Sequence, residues 1–285
     1  MRKLYISVLA AMVFAAGAGA QDASSLYISS DPVRMGTAGI SFFQASAFAA
    51  DGNSAAMSLS EAKASFGASY GSWAPDASAG TIIGAGGFYR AGKLGIGLFG
   101  RKISDSEEMI LTNENSVVTG TFKPSDMVIG LGVSYSLGDA LSVGVSAKYL
   151  SSSLSPDDKA SSVCADLGVN YVSGPLKAGA GIGNVAASTQ LRAGASYEIA
   201  GLTPAVELTY NTDGGLGVSA AAQYDIAGYV SLRAGYHFAS GEAMPPSFAS
   251  LGLGLHFAGI SLNAAYLLAS DTIGGSFLAG LSYSF

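Results

Sequence analysis

Charge is scarce in this sequence. Charged side chains make up 12% of its 285 residues, about half the ~25% of a soluble domain. Cysteine is nearly absent: Cys164 stands alone, which excludes an intramolecular disulfide. It reads as a small filler facing inward. Long apolar runs are missing too. After the first twenty residues none reaches the ~18 that a membrane helix needs, although 49% of the chain is hydrophobic. High apolarity without a spanning helix leaves a soluble β protein with a large core, or a β-barrel whose apolar face looks outward into lipid. The length suits one large β domain or two ordinary ones.

The first twenty residues have their own character. Arg2 and Lys3 precede an apolar stretch that closes on Ala-Gly-Ala before Gln21. This is the pattern of a secretory signal peptide. Its removal would take the net charge from −6 to −8, and an acidic exported chain is a poor partner for nucleic acid. The expected organisation is a signal peptide (1–20), an N-terminal plug segment (21–62) and a transmembrane β-barrel (63–285).

From Ala64 onward the chain alternates with a period of two, the mark of strands with unlike faces. In 127–137, Met127, Ile129, Leu131, Val133, Tyr135 and Leu137 oppose Gly130, Gly132, Ser134 and Ser136. Fourteen such segments are predicted, at about 64–73, 80–90, 93–103, 126–137, 140–151, 161–171, 175–183, 190–199, 203–210, 215–225, 228–238, 248–257, 260–269 and 275–285. Most match the ~9–11 residues of a tilted transmembrane strand. The connections alternate as well. Tight turns such as Gly138-Asp139 and Ala258-Gly259 alternate with generally longer, polar loops, the longest at 104–125. That sorting is characteristic of outer-membrane barrels, and lipid demands that the sheet close, because open edges leave backbone groups unpaired.

The apolar face carries tyrosines near strand ends, as interfacial girdles do. The chain ends on Tyr283 and Phe285, which resemble the C-terminal signal read by the barrel-insertion machinery of a Gram-negative bacterium. The other face is Gly and Ser with scattered charges: Lys93, Arg101, Lys148, Asp166, Lys177, Arg192, Glu198, Glu207, Asp225 and Arg233. Both signs occur on neighbouring strands, as with Lys148 and Asp166, so they are expected to pair in the lumen. An ion-selective ring would favour one sign. Small side chains alone would leave a void, so something else is expected to fill the barrel.

Residues 34–58, "RMGTAGISFFQASAFAADGNSAAMS", do not alternate. Phe42, Phe43, Ala47 and Ala50 have helical spacing, Asp51-Gly52-Asn53 would stop the helix, and Ser54 would cap a further turn through Met57. A plug packed into the barrel is the expected role. The segment also resembles the opening of the FadL-like barrels, which include the fatty-acid transporter FadL and the PorV/PorQ proteins of type IX secretion. Met35, Gly36, Ala38 and Gly39 match the first half of the family pattern. Ala50 and Asp51 resemble its middle with the spacing compressed, and Asn53, Ala55 and Met57 resemble its end, with Ser54 where the family has Pro and Ala56 where it has Gly. The resemblance implies a fourteen-stranded barrel. One long outer loop, bearing Glu107, Glu108 and Glu114, points to the smaller PorV/PorQ group over a lipid transporter, and so to secretion-system or cargo proteins and outer-membrane lipid as partners.

Other motifs fail on context. Gly95, Gly97 and Gly100 match G-x-G-x-x-G but lie inside a strand with no helix following, so no phosphate site is expected. His237 and His256 should lie far apart, against a metal. No Ser/His/Asp grouping is expected at a rim, and neither a cofactor nor an enzymatic activity is predicted.

Overall fold

The computed structural model describes residue 26 and residues 28–42, 45–73, 80–113, 116–241, 243–269 and 275–285. The expected signal peptide, Phe43 and Glu114 lie outside the described residues. Fourteen strands form one closed antiparallel barrel. They are β1 (Ala64–Ser72), β2 (Thr81–Ala91), β3 (Leu94–Ser104), β6 (Ser125–Ser136), β7 (Leu141–Ser153), β8 (Lys159–Ser173), β9 (Leu176–Val185), β10 (Gln190–Tyr197), β11 (Leu202–Asn211), β12 (Gly215–Ile226), β13 (Val230–Ser240), β14 (Phe248–Phe257), β15 (Ile260–Ala269) and β16 (Ser276–Ser284). The remaining two, β4 (Met109–Thr112) and β5 (Val118–Phe122), form a separate hairpin between β3 and β6. The sequence reading placed only a loop there.

Each barrel strand pairs with its chain neighbours, and β1 closes on β16 through pairs such as Phe66 with Tyr283. Past those strands, Phe285 continues the seam: its carbonyl accepts from the Lys63 and Ala64 amides. Turns on one rim are tight. At Ala200-Gly201 and Ala258-Gly259 both residues have positive φ (50° and 81° in each). Two left-handed residues in a two-residue hairpin match the right-handed twist of the strands, and glycine in the second place removes half of the steric cost.

The outer surface is apolar across the middle of the strands. Leu98, Leu131, Val206 and Leu253 are all exposed there. Two aromatic belts bound this zone. Phe66, Tyr89, Tyr135, Tyr197, Tyr224 and Tyr283 lie toward the tight-turn rim, and Tyr70, Tyr149, Tyr210, Tyr236 and Tyr266 toward the long-loop rim. Exposed apolar area of this extent is stable only against lipid. No helix among the described residues is long and apolar enough to cross a membrane; the strands are what spans.

The core lies inside the barrel, and the described residues between 26 and 62 occupy it. Their regular elements are α1 (Pro32–Gly36), α2 (Ala49–Gly52) and a 3-10 turn at Ser54–Leu59. The sequence reading expected one helix across Phe42–Ala50. Among the described residues the chain instead bends at Ser41 and Phe42, is non-helical over 45–48 and is helical from Ala49. The 3-10 turn has Asn53, not Ser54, as its capping residue. Glycines on the inner wall sit where the plug comes closest. A Cβ at Gly144 would overlap the Ala55 backbone, and one at Gly86 would lie 2.7 Å from the Ala47 carbonyl oxygen.

The lipid-facing band makes a depth-dependent prediction. Leu131 sits mid-strand and Leu137 beyond the β6 terminus, both exposed. Leu131→Arg is expected to destabilise the barrel by about 2–4 kcal/mol and Leu137→Arg by about 0–1. Urea unfolding in lipid vesicles checks this; equal costs would remove the lipid assignment.

Candidate functional site

The site is the contact between plug and wall, with the spaces the plug leaves open. Asp31 starts it. Its carboxylate accepts from the Val33 amide at 2.9 Å and from the Ser46 hydroxyl at 2.6 Å. Pro32 at the first helical position needs no amide partner, which suits α1. Burial pushes the Asp31 carboxyl up, only partly opposed by Ser46 and Val33.

The first half of the motif docks next. Met35 packs with Ile82 and Phe248 in an apolar cluster. Gly36 abuts the wall at Gly252, where a Cβ on Gly36 would stand 3.1 Å from the Gly252 Cα. Ala38 and Gly39 both take left-handed φ (55° and 81°), turning the chain back. The wall holds this turn through hydroxyls: Ser250 Oγ accepts from the Ala38 amide at 3.0 Å, and Ser219 Oγ donates to the Ala38 carbonyl at 2.8 Å.

The second half brings charge. Asp51 meets Arg101 at 2.6 Å and Lys148 at 3.7 Å, and Lys148 reaches Asp166 at 2.6 Å. The cations come from β3 and β7, so the plug carboxylate stitches two non-adjacent strands together. Burial alone would raise the Asp51 pKa, but Arg101, Lys148 and Arg34 outweigh it and hold the group at about 2. Asp166 opposes the bulge between β8 and β9, where it also accepts from the Asn184 amide at 2.7 Å. Asn53 donates to Asn170 at 3.4 Å, and the Ala55 carbonyl accepts from Ser142 at 2.7 Å.

The ten charges predicted for the lumen therefore divide. Arg101, Lys148 and Asp166 converge on Asp51. Glu207 accepts from the Ser41 amide at 2.7 Å and hydroxyl at 2.9 Å. Arg233 donates to Gln223 at 2.6 Å and Asn263 at 3.0 Å, and so is not paired directly with Asp225. Arg192 is half-buried. Lys177 and Glu198 line a cavity at the tight-turn mouth, where Glu198 is exposed. Lys93 is not in the lumen: it has the inward phase, but the chain is already turning at Gly92-Lys93, and it is exposed. Tyr283 and Phe285 face outward, 5.6 Å apart between ring centroids.

One further expectation needs correction. Asp225, Ser231 and His256 do meet near the tight-turn rim, at the ends of β12 and β14 and the start of β13. Ser231 lies between the other two, 2.9 Å from His256 Nε2, while Ser261 takes His256 Nδ1 at 2.9 Å. A carboxylate bonded to the serine instead of the imidazole cannot orient the imidazole as a general base. His237 belongs to a separate group, 2.8 Å from Ser219 Oγ. Among the described residues no cluster of His, Cys, Asp or Glu is suited to a metal.

Sequence reasoning gave no role to Arg34, yet this side chain joins the motif's halves. Its Nε donates to the Gly39 carbonyl at 3.0 Å, and its guanidinium lies over Gly52, 3.2 Å from where a Cβ would stand. Among the described residues, two of the cavities lie between plug and wall at opposite ends of the lumen. One of ≈ 60 Å³ lies on the long-loop side, lined by Leu26, Met35, Trp73, Met244 and Phe248 together with charged groups that include Arg34, Arg192 and Glu207. One of ≈ 460 Å³ opens at the tight-turn mouth between the plug and β8–β10.

Fold and site together define a closed fourteen-stranded barrel whose lumen is filled by its own N-terminal segment. By sequence, the chain matches no protein-family model and no curated protein. By structure, it is similar to the Ralstonia pickettii toluene transporter TbuX, with a TM-score of 0.65 and 14% identity over 89% of this chain and 97% of that one. It is similar as well to the Pseudomonas putida toluene transporter TodX (0.61, 12%, 88% and 96%) and to a Pseudomonas aeruginosa FadL homologue (0.59, 12%, 90% and 95%). At these identities the likeness is one of fold, the FadL-like barrel.

The Asp51 knot generates a prediction. Asp51→Ala removes the carboxylate that buried Arg101 and Lys148 share, with Lys148 keeping Asp166, and is expected to cost about 3 kcal/mol. The folded pKa of about 2 lies below the ordinary 3.8. The carboxylate's contribution is therefore complete above about pH 4 and is lost as pH falls through about 2. Melting temperature against pH checks it: Asp51→Asn should flatten the acid limb, and an unchanged limb would assign acid sensitivity elsewhere.

Proposed function

We propose that the protein is an outer-membrane channel for small hydrophobic molecules, acting without catalysis. The observation that carries this reading is the cavity over the plug. It faces the long-loop rim, and its lining sets Leu26, Met35, Trp73, Met244 and Phe248 among polar and charged side chains that include Arg34, Asp51, Lys148, Arg192 and Glu207. An apolar solute entering between the loops meets this space at the plug's outer surface, where Leu26 and Met35 stand, and concave sites that combine apolar side chains with placed polar groups are where small ligands bind. The long loop supports the same reading. The sequence argument against lipid uptake rested on its glutamates, but β4 and β5 present Ile110 and Val118 at 67% and 62% exposure. The loop is greasier than its composition implied. The toluene transporters and FadL homologue that share the fold support the class of solute.

On this reading the tight turns face the periplasm and the loops the exterior, as in barrels of this architecture. A second reading is a PorV/PorQ-like part in type IX secretion, handling cargo or secretion proteins. The β4–β5 hairpin favours it specifically. It stands apart from the barrel sheet, and an exposed strand edge is a template for pairing with another chain.

Deleting the gene and following labelled fatty acid and toluene into cells, with surface cargo assayed in parallel, separates the two. The channel reading expects slowed uptake and intact export; normal uptake would remove it, and normal export would remove the secretion reading. Within the channel reading, Ile110→Glu with Val118→Glu is expected to lower uptake toward the deletion level while leaving the amount of folded barrel unchanged. Uptake at the wild-type rate in the double variant would show that the hairpin takes no part in capture.

A further inference from the structure

The plug is not seated evenly around the lumen. Its helical turns pack on β13–β16 and on β2, β3 and β6–β8. Over the remaining arc, β9 to β12, it is the bent connection after α1 that meets the wall. Ala38 reaches Ser219 on β12, Ser41 reaches Glu207 on β11, and Phe42 lies on β9 and β10.

Both cavities adjoin this arc. Along β10 the inward positions read Gln190, Arg192, Gly194 and Ser196, with Glu198 next beyond its end. Gln190 and Arg192 line the long-loop cavity, and Glu198 lines the tight-turn one. Along β9, Asn184 lines the first cavity and Lys177 the second. Along this wall Phe42 lies between the two spaces: it sits at Gly179 and Gly194, between Arg192 of the first and Lys177 and Glu198 of the second, lines the tight-turn cavity and is 5% exposed.

The seat under Phe42 is specific. Gly179 and Gly194 are direct partners across the β9–β10 ladder. A Cβ on Gly179 would overlap the Phe42 ring, and one on Gly194 would lie 3.1 Å from it. Paired glycines make a flat patch on which an aromatic ring lies against the backbone. On either side of that patch a buried polar atom lacks a partner among the described residues: Arg192 Nε toward one cavity and Ser196 Oγ toward the other. Buried polar atoms of this kind are normally satisfied by water.

We propose that Phe42 is the gate of a lumenal passage running between the plug and the β8–β11 wall, latched by the two hydrogen bonds from Ser41 to Glu207. The inference rests on reading the lumen as a solute route. Opening displaces Ser41 and the Phe42 ring. Ala38 on one side and Asp51 on the other remain anchored to the wall, so the plug stays in place.

The test is ion conductance of the full-length protein in planar bilayers, with heat-shifted gel mobility as the check on folding. Phe42→Ala is expected to raise conductance about tenfold or more by removing the constriction. Glu207→Gln, which weakens the latch, should give a smaller rise. Phe48→Ala is the control. Phe48 is equally buried but packs at Gly86 on the opposite wall, so conductance should stay at the wild-type level. Should Phe42→Ala fail to assemble, Gly179→Ala carries the same test by unseating the ring. Folded Phe42→Ala or Gly179→Ala protein as tight as wild type would overturn the gate, as would equal leakage through Phe48→Ala. Hydrophobic-solute uptake by wild-type cells is scored separately. A failed gate with normal uptake leaves the channel reading standing, and absent uptake removes that reading whatever the conductance.

Discussion

The interior of this protein depends on one carboxylate held out of water by two cations. Asp51 lies on the plug, Arg101 and Lys148 on the wall, and all three are buried. Removing three charges from water costs several kcal/mol each before their attraction returns anything. An apolar contact of the same volume would therefore serve stability as well or better. What an ion knot adds is position. A greasy plug could slide or rotate within a smooth greasy lumen, whereas Asp51 satisfies its charge in one place. Lys148 then passes the constraint to Asp166, which sits at the bulge between β8 and β9, so plug position and wall irregularity are coupled.

The opposite wall is held by different means. At β12 and β14, Ser219 and Ser250 bond to the backbone of Ala38 rather than to a side chain. Such bonds leave little choice of residue identity in the plug beyond smallness, and Ala38 is fully buried where anything larger would strike the wall. The inner surface of glycine and serine is thus a negative of the plug. Glycine stands where the chain comes closest, and serine stands where the backbone needs a partner. Asp51→Ala and a bulky substitution at Ala38 should therefore fail differently, the first through the loss of a carboxylate shared by two cations and the second through overlap.

Much of this was legible in the sequence because a barrel strand carries its own pattern. Alternation along Met127–Leu137 places each side chain in or out whatever its neighbours are, and all fourteen barrel strands were found this way. The same rule explains the errors. Lys93 has the inward phase but lies just past a strand end, where phase ceases to matter, whereas Glu198, also past its strand, still lines the tight-turn cavity. β4 and β5 are short, and with Glu107 and Glu108 before them they read as a polar loop. The plug's existence was legible from the small inner face. Its contacts were not, because Asp51 and Arg101, or Phe42 and Gly179, lie far apart in sequence and no local period links them. Arg34 was overlooked for the same reason: its role is to join Gly39 and Gly52, which only the folded plug brings together. The pairing of Gly179 with Gly194 was visible in principle, since both face inward on adjacent strands across a two-residue turn.

The uneven seating of the plug bears on how such a barrel can be tight and yet permeable. A plug fixed on all sides could admit solute only by leaving, and leaving would expose Arg101, Lys148 and Asp51 at once. Here the charged anchor is on β3 and β7 and the hydroxyl anchor on β12 and β14, so the arc between them carries the lighter contacts. Glu207 to Ser41 is a pair of hydrogen bonds with one charged partner, each worth ~1.5–3 kcal/mol. A ring on two glycines adds dispersion and a small apolar area. Both are far weaker than extracting the buried ion knot. If any part of the plug yields under thermal motion or solute pressure, the energetic order places it at Phe42. The anchors that make the rest rigid are the reason motion is confined to that point.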